Sequence, residues 1–174
     1  VDGSLDTYAT HEALSDKLSK VSNAVIPGFY GADKDGNIVT FSRGGSDVTG
    51  ALVAESINAD LYENWTDVSG FLMADPRIID NPKPISTITY SELRELSYMG
   101  ASVLHEDSIF PVRKAGIPIN IKNTNRPQDK GTFIVKDCDL SSNPNIVTGI
   151  AGKKDFTVIS ISKASMNSRS EERR

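Results

Sequence analysis

The alternation of apolar and polar positions along the first part of the chain predicts a helix, a strand and a hairpin. Residues 11–21 repeat apolar side chains at helical spacing, and the apolar run 24–31 (AVIPGFYG) is typical of a buried strand. A polar turn at 33–37 (DKDGN) precedes the apolar residues 38–41. This order predicts a helix that leads into a strand, followed by a hairpin.

The next segment predicts a capped helix, a strand and a long loop. Ser46 or Asp47 is suited to cap a helix that runs to about Asn58, because both residues have side-chain oxygens that accept from helical N–H groups. Residues 59–65 then favour a short strand. The polar, proline-bearing residues 75–84 indicate a loop of the kind that often carries function.

The third segment predicts two helices and two strands. A capping box opens a helix over 89–98, and a second helical stretch over 102–115 is broken or kinked at Pro111. Strands follow at 117–122 and 131–135. The whole order favours an α/β fold, a three-layer αβα sandwich around a mainly parallel sheet.

The chain changes character after this α/β region. Residues 1–136 form the predicted first domain, residues 137–144 a polar linker, and residues 145–174 the beginning of a second unit with a polar tail. Within the second unit, 145–150 and 156–161 have the pattern of a β-hairpin. A chain that begins with Val1 and ends in such a tail is expected to be a piece of a longer protein.

Composition narrows the classes of function. The 174 residues carry a net charge of −4, which gives no basic field for nucleic acid, and the single cysteine excludes a disulfide framework. No run reaches the ~18 apolar residues of a membrane span. We therefore expect a cytoplasmic protein with no nucleic-acid or membrane partner. Two distant histidines do not favour a zinc site.

A candidate anion site lies where the helix near Asp47 begins. Gly44 and Gly45 let backbone amides approach a ligand, and the helix dipole is positive at this end. Arg43 has a planar fork of donors that matches a carboxylate, and Ser46 adds a hydroxyl. The Walker pattern is absent. The alternative interpretation is a glycine turn with a serine or aspartate cap.

A second candidate region follows the predicted strand 59–65. Thr66 and Asp67 lie just past its carboxyl end, where open α/β sheets bind ligands, although they also suit a simple turn cap. Arg77 in the proline-bearing loop is a candidate for polyphosphate, or an ordinary surface arginine. Together these positions suggest a nucleotide and a small carboxylate bound side by side.

Several motifs in order resemble the aspartate kinases of the amino-acid kinase superfamily, over about residues 25–135. The motifs are 28–31 (GFYG), 42–47 (SRGGSD), 65–71 (WTDVSGF), 74–77 (ADPR), 98–105 (YMGASVLH), 116–119 (GIPI), 123–124 (NT) and 131–132 (GT). The resemblance implies transfer of the γ-phosphoryl group of ATP to the β-carboxylate of L-aspartate, giving aspartyl phosphate for lysine, threonine and methionine synthesis. Mg2+ would bridge the phosphates.

The resemblance also implies roles for single residues. The aspartate site would comprise Arg43, Gly44, Gly45 and Ser46, and Asp47 would be the catalytic residue that orients the reacting groups. The ATP site would comprise Thr66, Asp67, Leu72, Arg77, Ser102 and Val103. The protein's side chains would supply no metal ligand.

The chain departs from the family pattern in two ways. Ser102 and Glu106 stand where many members have the lysine and proline of Gly-Ala-Lys-Val-Leu-His-Pro, which leaves backbone amides for the nucleotide contact. The family's N-terminal Lys-x-Gly-Gly strand, which supplies the catalytic lysine, has no counterpart. We therefore expect this chain alone to be inactive.

At the other end, residues 145–162 resemble the first part of an α+β ACT regulatory domain. That resemblance implies an amino-acid effector and a homo-oligomer, a dimer, in the longer protein. Two alternatives remain for the activity: a related kinase for another acid such as acetylglutamate, and a non-catalytic regulatory product of the same locus. Fusion to a homoserine dehydrogenase is also open.

Overall fold

The computed structural model describes residues 5–41, 44–98, 104, 109–138 and 147–152. The helices are α1 (Thr7–Leu18), α2 (Gly45–Ser56), α3 (Tyr90–Tyr98) and α4 (Phe110–Ala115). The strands are β1 (Tyr30–Ala32), β2 (Ile38–Thr40), β3 (Tyr62–Thr66), β4 (Thr87–Thr89), β5 (Ile119–Asn123) and β6 (Thr132–Val135).

Four strands form the main sheet in the order β3-β5-β6-β4. The pairs β3–β5 and β4–β6 are parallel, whereas β5–β6 is antiparallel. Two of the three pairings are therefore parallel, which confirms the predicted α/β fold with a mainly parallel sheet. Because β3 and β5 run in the same direction, Thr66 pairs with Asn123 at their common carboxyl end.

The core lies on one face of this sheet. Ile88, Ile119, Ile121 and Ile134 project from three strands and are completely buried. Helices α2, α3 and α4 contribute further buried side chains to the same cluster, namely Ala51, Ala54, Leu93 and Val112. Each buried branched side chain stabilises the fold by about 1.5–3 kcal/mol. This cluster fixes α2 against β3.

The N-terminal prediction is correct for the hairpin and wrong for the buried strand. The hairpin β1–β2 pairs Tyr30 with Thr40, and the Asp33 carboxylate accepts from the N–H groups of Asp35 and Asn37 in the turn, each at 2.9 Å. In contrast, residues 24–28 are irregular and Val25 is 99% exposed. Among the described residues no strand pairs with them, and Pro27 has no N–H to donate.

Other predicted boundaries shift. The first helix begins at Thr7, four residues early, because Asp6 caps it by accepting from Ala9 N–H at 3.0 Å. The capping box is confirmed: Thr89 N–H donates to Glu92 Oε2 at 2.8 Å, and Glu92 N–H donates to Thr89 Oγ1 at 3.2 Å. Strand β4, only three residues long, was not predicted.

The second helical stretch is shorter than predicted in its described part. Helix α4 begins at Phe110 with Pro111 in its first turn and ends at Ala115, where Gly116 with φ +73° forms the C-cap. Proline marks the start of α4 because its missing N–H is no loss there. Of the predicted hairpin, residues 147–150 are irregular, and 156–161 lie outside the described residues.

Candidate functional site

The first turn of α2 has no side-chain cap among the described residues. Gly44 occupies the N-cap position with φ +81°, so the prediction of Ser46 or Asp47 as the cap is wrong. The chain can turn into the helix here because glycine tolerates a positive φ, and this places Ser46 and Asp47 inside the first turn. The first N–H groups of a helix have no intrahelical partner, so these remain available for an anion.

Gly45 is required by packing as well. A Cβ atom at this position would lie 2.5 Å from Cβ of Phe41 and 3.0 Å from Cδ2 of Phe29. Phe41 N–H also donates to the Phe29 carbonyl at 2.9 Å, which joins the chain on either side of the β1–β2 hairpin. The start of α2 therefore sits tightly on the base of this hairpin.

The Asp47 carboxylate is held by a buried asparagine on β3. Asn64 Nδ2 donates to Asp47 Oδ1 at 2.9 Å and to the Tyr62 hydroxyl oxygen at 3.1 Å. Burial raises the pKa of Tyr62, the Asn64 hydrogen bond lowers it, and the nearby Asp47 charge raises it, with a net upward shift. Sequence reasoning did not identify Asn64, because a single asparagine within a strand gives no motif.

Thr66 and Asp67 lie at the carboxyl end of β3, as predicted. The Thr66 carbonyl accepts from Thr124 N–H at 2.8 Å and from Thr124 Oγ1 at 3.0 Å. The Thr66 hydroxyl donates to Asp67 Oδ1 at 3.2 Å, and the Asp67 side chain is exposed. The end of β3 is therefore fixed by the chain that leaves β5.

A polar network joins the loops that follow β3 and β5. Asn123 Nδ2 donates to Ser69 Oγ at 2.9 Å, and Ser69 Oγ donates to Asp129 Oδ2 at 2.6 Å. Lys122 Nζ donates to the Asp129 carbonyl at 2.8 Å. The motif residues 123–124 had no role assigned from the sequence, and the structure places them as the link between these two loops.

Leu72 and Arg77, both predicted for the ATP site, lie in the loop after β3 and are not part of the first turn of α2. Leu72 is 42% exposed and forms an isolated bridge with Pro84. Arg77 pairs with Asp75, Nη2 to Oδ2 at 2.6 Å, and its hydrogen bonds lower the pKa of Asp75 to about 2. The Arg77 side chain is 87% exposed, so it faces solvent while its guanidinium remains paired with this carboxylate.

Strand β3 brings part of the predicted site together. Asn64 and Thr66 are two residues apart on the same face of the strand, about 7 Å along it. The Asp47 anchor and the Thr66–Asp67 end therefore share one rigid element. Three predicted site residues, Arg43, Ser102 and Val103, lie outside the described residues.

The described part of the chain lacks two features. No group of three or more histidine, cysteine, aspartate or glutamate side chains there is arranged to hold a metal ion. Nor does it contain a helix with the length and apolar character needed to cross a membrane.

Comparison with known proteins gives a consistent family. The model of the amino acid kinase family matches residues 4–123. Aspartokinase 3 of Bacillus subtilis is 50% identical over 143 residues, which are 82% of this chain and 31% of that protein. The chain thus spans about a third of the length of this curated relative.

Solved structures agree with the sequence relatives. The aspartate kinase of Clostridium acetobutylicum superposes with a TM-score of 0.78 at 61% identity, covering 85% of this chain and 34% of that one. Escherichia coli aspartokinase III in complex with aspartate and ADP gives 0.67 at 33% identity, covering 78% and 31%. The same enzyme with lysine and aspartate gives 0.69 at 32% identity, covering 79% and 32%.

Proposed function

Because this chain belongs to the amino acid kinase family, we propose that it is the nucleotide-binding part of an aspartate kinase. The complete polypeptide transfers the γ-phosphoryl group of ATP to the β-carboxylate of L-aspartate and forms 4-phospho-L-aspartate. The observation that carries this proposal is the link from Asp47, through Asn64, to the strand that ends in Thr66 and Asp67. It supports the proposal because it joins the proposed acid-binding start of α2 to the strand that ends at the proposed nucleotide-binding edge.

The aspartate site is the segment that leads into α2, namely Arg43, Gly44, Gly45 and Ser46. The uncapped first turn supplies N–H groups and a positive dipole end for a carboxylate, and Arg43 adds a bidentate partner. Asp47, in the same turn, orients the reacting groups. The E. coli enzyme solved with aspartate, at 33% identity over most of this chain, supports an aspartate site.

The nucleotide site is the carboxyl edge of β3 with the loop that follows it. Thr66 and Asp67 contact the adenosine part of ATP, Leu72 packs near it, and Arg77 faces the phosphates. Ser102 and Val103 add backbone amides. The exposed, anchored guanidinium of Arg77 suits a polyphosphate, since a guanidinium pairs with phosphate oxygens bidentately.

Phosphoryl transfer requires chiefly positioning and charge neutralisation, and these residues supply both. Arg77 and the α2 dipole offset negative charge on the phosphates and on the acceptor carboxylate. Mg2+ bound together with ATP would supply further charge neutralisation at the phosphates.

The test is an assay of the complete polypeptide with ATP, Mg2+, aspartate and hydroxylamine. Aspartyl hydroxamate is the expected product. A related kinase for another acid is the alternative, so acetylglutamate is tested in parallel, and phosphorylation of acetylglutamate without aspartate would reject the proposal. The 174-residue chain alone is expected to give no product, because it spans about a third of its relatives. Formation of hydroxamate by the 174-residue chain alone would reject the expectation that this chain is inactive by itself.

The proposed domain organisation continues beyond the kinase domain. Residues 1–136 belong to the kinase domain, 137–144 to a linker, and 145–174 to the start of an ACT-type domain that binds an amino-acid effector and forms a homo-oligomer. The lysine complex of the E. coli relative supports an amino-acid effector. We place the enzyme in the cytoplasm, where ATP is supplied.

A further inference from the structure

We propose that Asn64 is a positioning residue that fixes the Asp47 carboxylate for phosphoryl transfer, an inference that rests on the proposed kinase function. Asn64 lies in the middle of β3 and is buried, with 9% of its surface exposed. Its side chain points toward α2, because its Nδ2 atom reaches Asp47 Oδ1 at 2.9 Å. The residue touches neither substrate directly and acts through Asp47.

The amide of Asn64 uses both of its N–H groups in this arrangement. One hydrogen bond goes to Asp47 and the other to the Tyr62 hydroxyl oxygen at 3.1 Å. An amide nitrogen has two hydrogens to donate, so both are satisfied and the side chain has a single preferred orientation. A buried amide held at two points keeps the carboxylate in one place more firmly than solvent would.

Tyr62 is itself fixed by the helix that carries Asp47. A Cβ atom at Gly50 would lie 2.5 Å from the Tyr62 hydroxyl oxygen, so the phenol packs directly on the α2 backbone. Gly50 is one turn beyond Asp47. Tyr62 and Asn64 therefore contact each other, and each of them also contacts α2, so the loss of the Asn64 side chain removes a hydrogen bond from both Asp47 and Tyr62.

The position of Asn64 on β3 also relates the two substrates. Two residues further along the same face, Thr66 begins the nucleotide edge. A shift of β3 relative to α2 would therefore change the separation between the acceptor carboxylate and the phosphates. Since misplacement of reacting groups by about 1 Å can cost ~100-fold in rate, an anchor at this point acts on kcat.

The experiment compares Asn64→Ala with Asn120→Ala in the complete enzyme. Asn120 is the matched control, because it is also a buried strand asparagine, it lies on the neighbouring strand β5, and it is outside the proposed site. Asn64→Ala is expected to lower kcat about tenfold or more, as for a lost hydrogen bond to a charged group, with both KM values within about threefold. Asn120→Ala is expected to keep kcat within about twofold. Equal kcat values for the two variants overturn the inference.

A double-mutant cycle with Asp47→Asn tests whether the effect passes through Asp47. If it does, adding Asn64→Ala to Asp47→Asn changes kcat little further, whereas independent effects multiply and would overturn the inference.

If Asn64→Ala folds poorly, Asn64→Asp is used in its place, because it keeps the side-chain volume. The exchange Asp47→Asn with Asn64→Asp is then expected to restore the unfolding temperature of Asn64→Asp but not its kcat. Recovery of kcat would indicate a purely structural role.

The wild-type assay distinguishes failure of the proposed function from failure of the Asn64 inference. A wild-type enzyme that forms no aspartyl phosphate rejects the function. The same Asn64 and Asn120 comparison is then made with the acid that the enzyme does phosphorylate, and it still decides whether Asn64 acts through Asp47.

Discussion

Thr124 donates two hydrogen bonds to one oxygen atom of Thr66, from its backbone N–H at 2.8 Å and from its hydroxyl at 3.0 Å. This pair joins the carboxyl ends of two parallel strands. The two hydrogen bonds restrict the backbone at Thr66, and they therefore also fix the position at which Asp67 follows.

Replacing Thr124 by valine tests this fixation. The variant keeps the shape and the backbone N–H but loses the hydroxyl donor, worth about 1 kcal/mol. We expect the KM for ATP to rise about fivefold and the KM for aspartate to remain unchanged in the complete enzyme. Thr87→Val, at a half-buried threonine of β4, is the control and should change neither. Equal increases in both KM values would show that the Thr124–Thr66 contact does not act specifically on ATP binding.

Replacing Arg43 by alanine tests the assignment of the two substrates. If Arg43 binds the carboxylate bidentately, the KM for aspartate should rise about tenfold or more, and the KM for ATP far less. Steady-state kinetics on the complete enzyme gives both values. Lys34→Ala in the exposed hairpin turn is the control. Equal effects would return the glycine motif to a phosphate-binding interpretation.

Gly131 is expected to tolerate no side chain. Its φ is +73°, and a Cβ atom would lie 1.9 Å from the Ile121 carbonyl oxygen, so Gly131→Ala must displace β5 or β6. We expect the free energy of unfolding to fall by about 3 kcal/mol or more. Urea unfolding measures the change, with Gly31→Ala as control, since a Cβ there meets nothing within 4 Å. Similar losses in both variants would contradict the packing argument.

Glu92 predicts a pH dependence of stability. Burial raises its pKa, but hydrogen bonds from Thr148 Oγ1 and from the N–H and hydroxyl of Thr89 lower it below the usual 4.5 overall. A lowered pKa in the folded state means that the stabilisation is present above the usual value and is lost as the pH falls through the folded value. Glu92→Gln keeps an oxygen that can cap the helix but loses the charge, so it should lower the free energy of unfolding at neutral pH by about 1 kcal/mol, the difference between charged and neutral hydrogen bonds.

Thermal unfolding of wild type and Glu92→Gln across acidic and neutral pH checks this sign. The difference in unfolding temperature should be largest at neutral pH and should narrow on acidification. Glu95→Gln, on the exposed side of the same helix, is the control. A difference that stays constant with pH would show that the charge of Glu92 is not involved.

Sequence patterns predicted those elements whose signals are local. The capping box at Thr89 and the glycine end of α4 follow from side-chain chemistry within a few residues, and both are present. The observed element boundaries differ from the predicted ones where contacts between residues far apart in the chain determine them. Gly44 replaced the expected cap because the chain must turn over the hairpin base, and residues 24–28 pair with no described strand.

In the candidate site, too, local features were predicted from the sequence and long-range contacts were not. The carboxyl end of β3 was predicted to within one residue, since the strand pattern over 59–65 stops just before Thr66. The contacts of Asn64 with Asp47, and of Thr124 with Thr66, were not, since each joins residues that are far apart in the chain. Only the folded sheet brings these partners together.

The pairing of the strands has a consequence for how the protein emerges from the ribosome. Strands β3 and β4 are consecutive in the chain but do not pair with each other; β3 pairs with β5, and β4 with β6. Among the described strands, therefore, neither β3 nor β4 has its partner until β5 and β6 have been synthesised. Such long-range pairing slows folding and leaves strand edges exposed in the meantime. During translation, these unpaired strand edges are surfaces that a chaperone can protect.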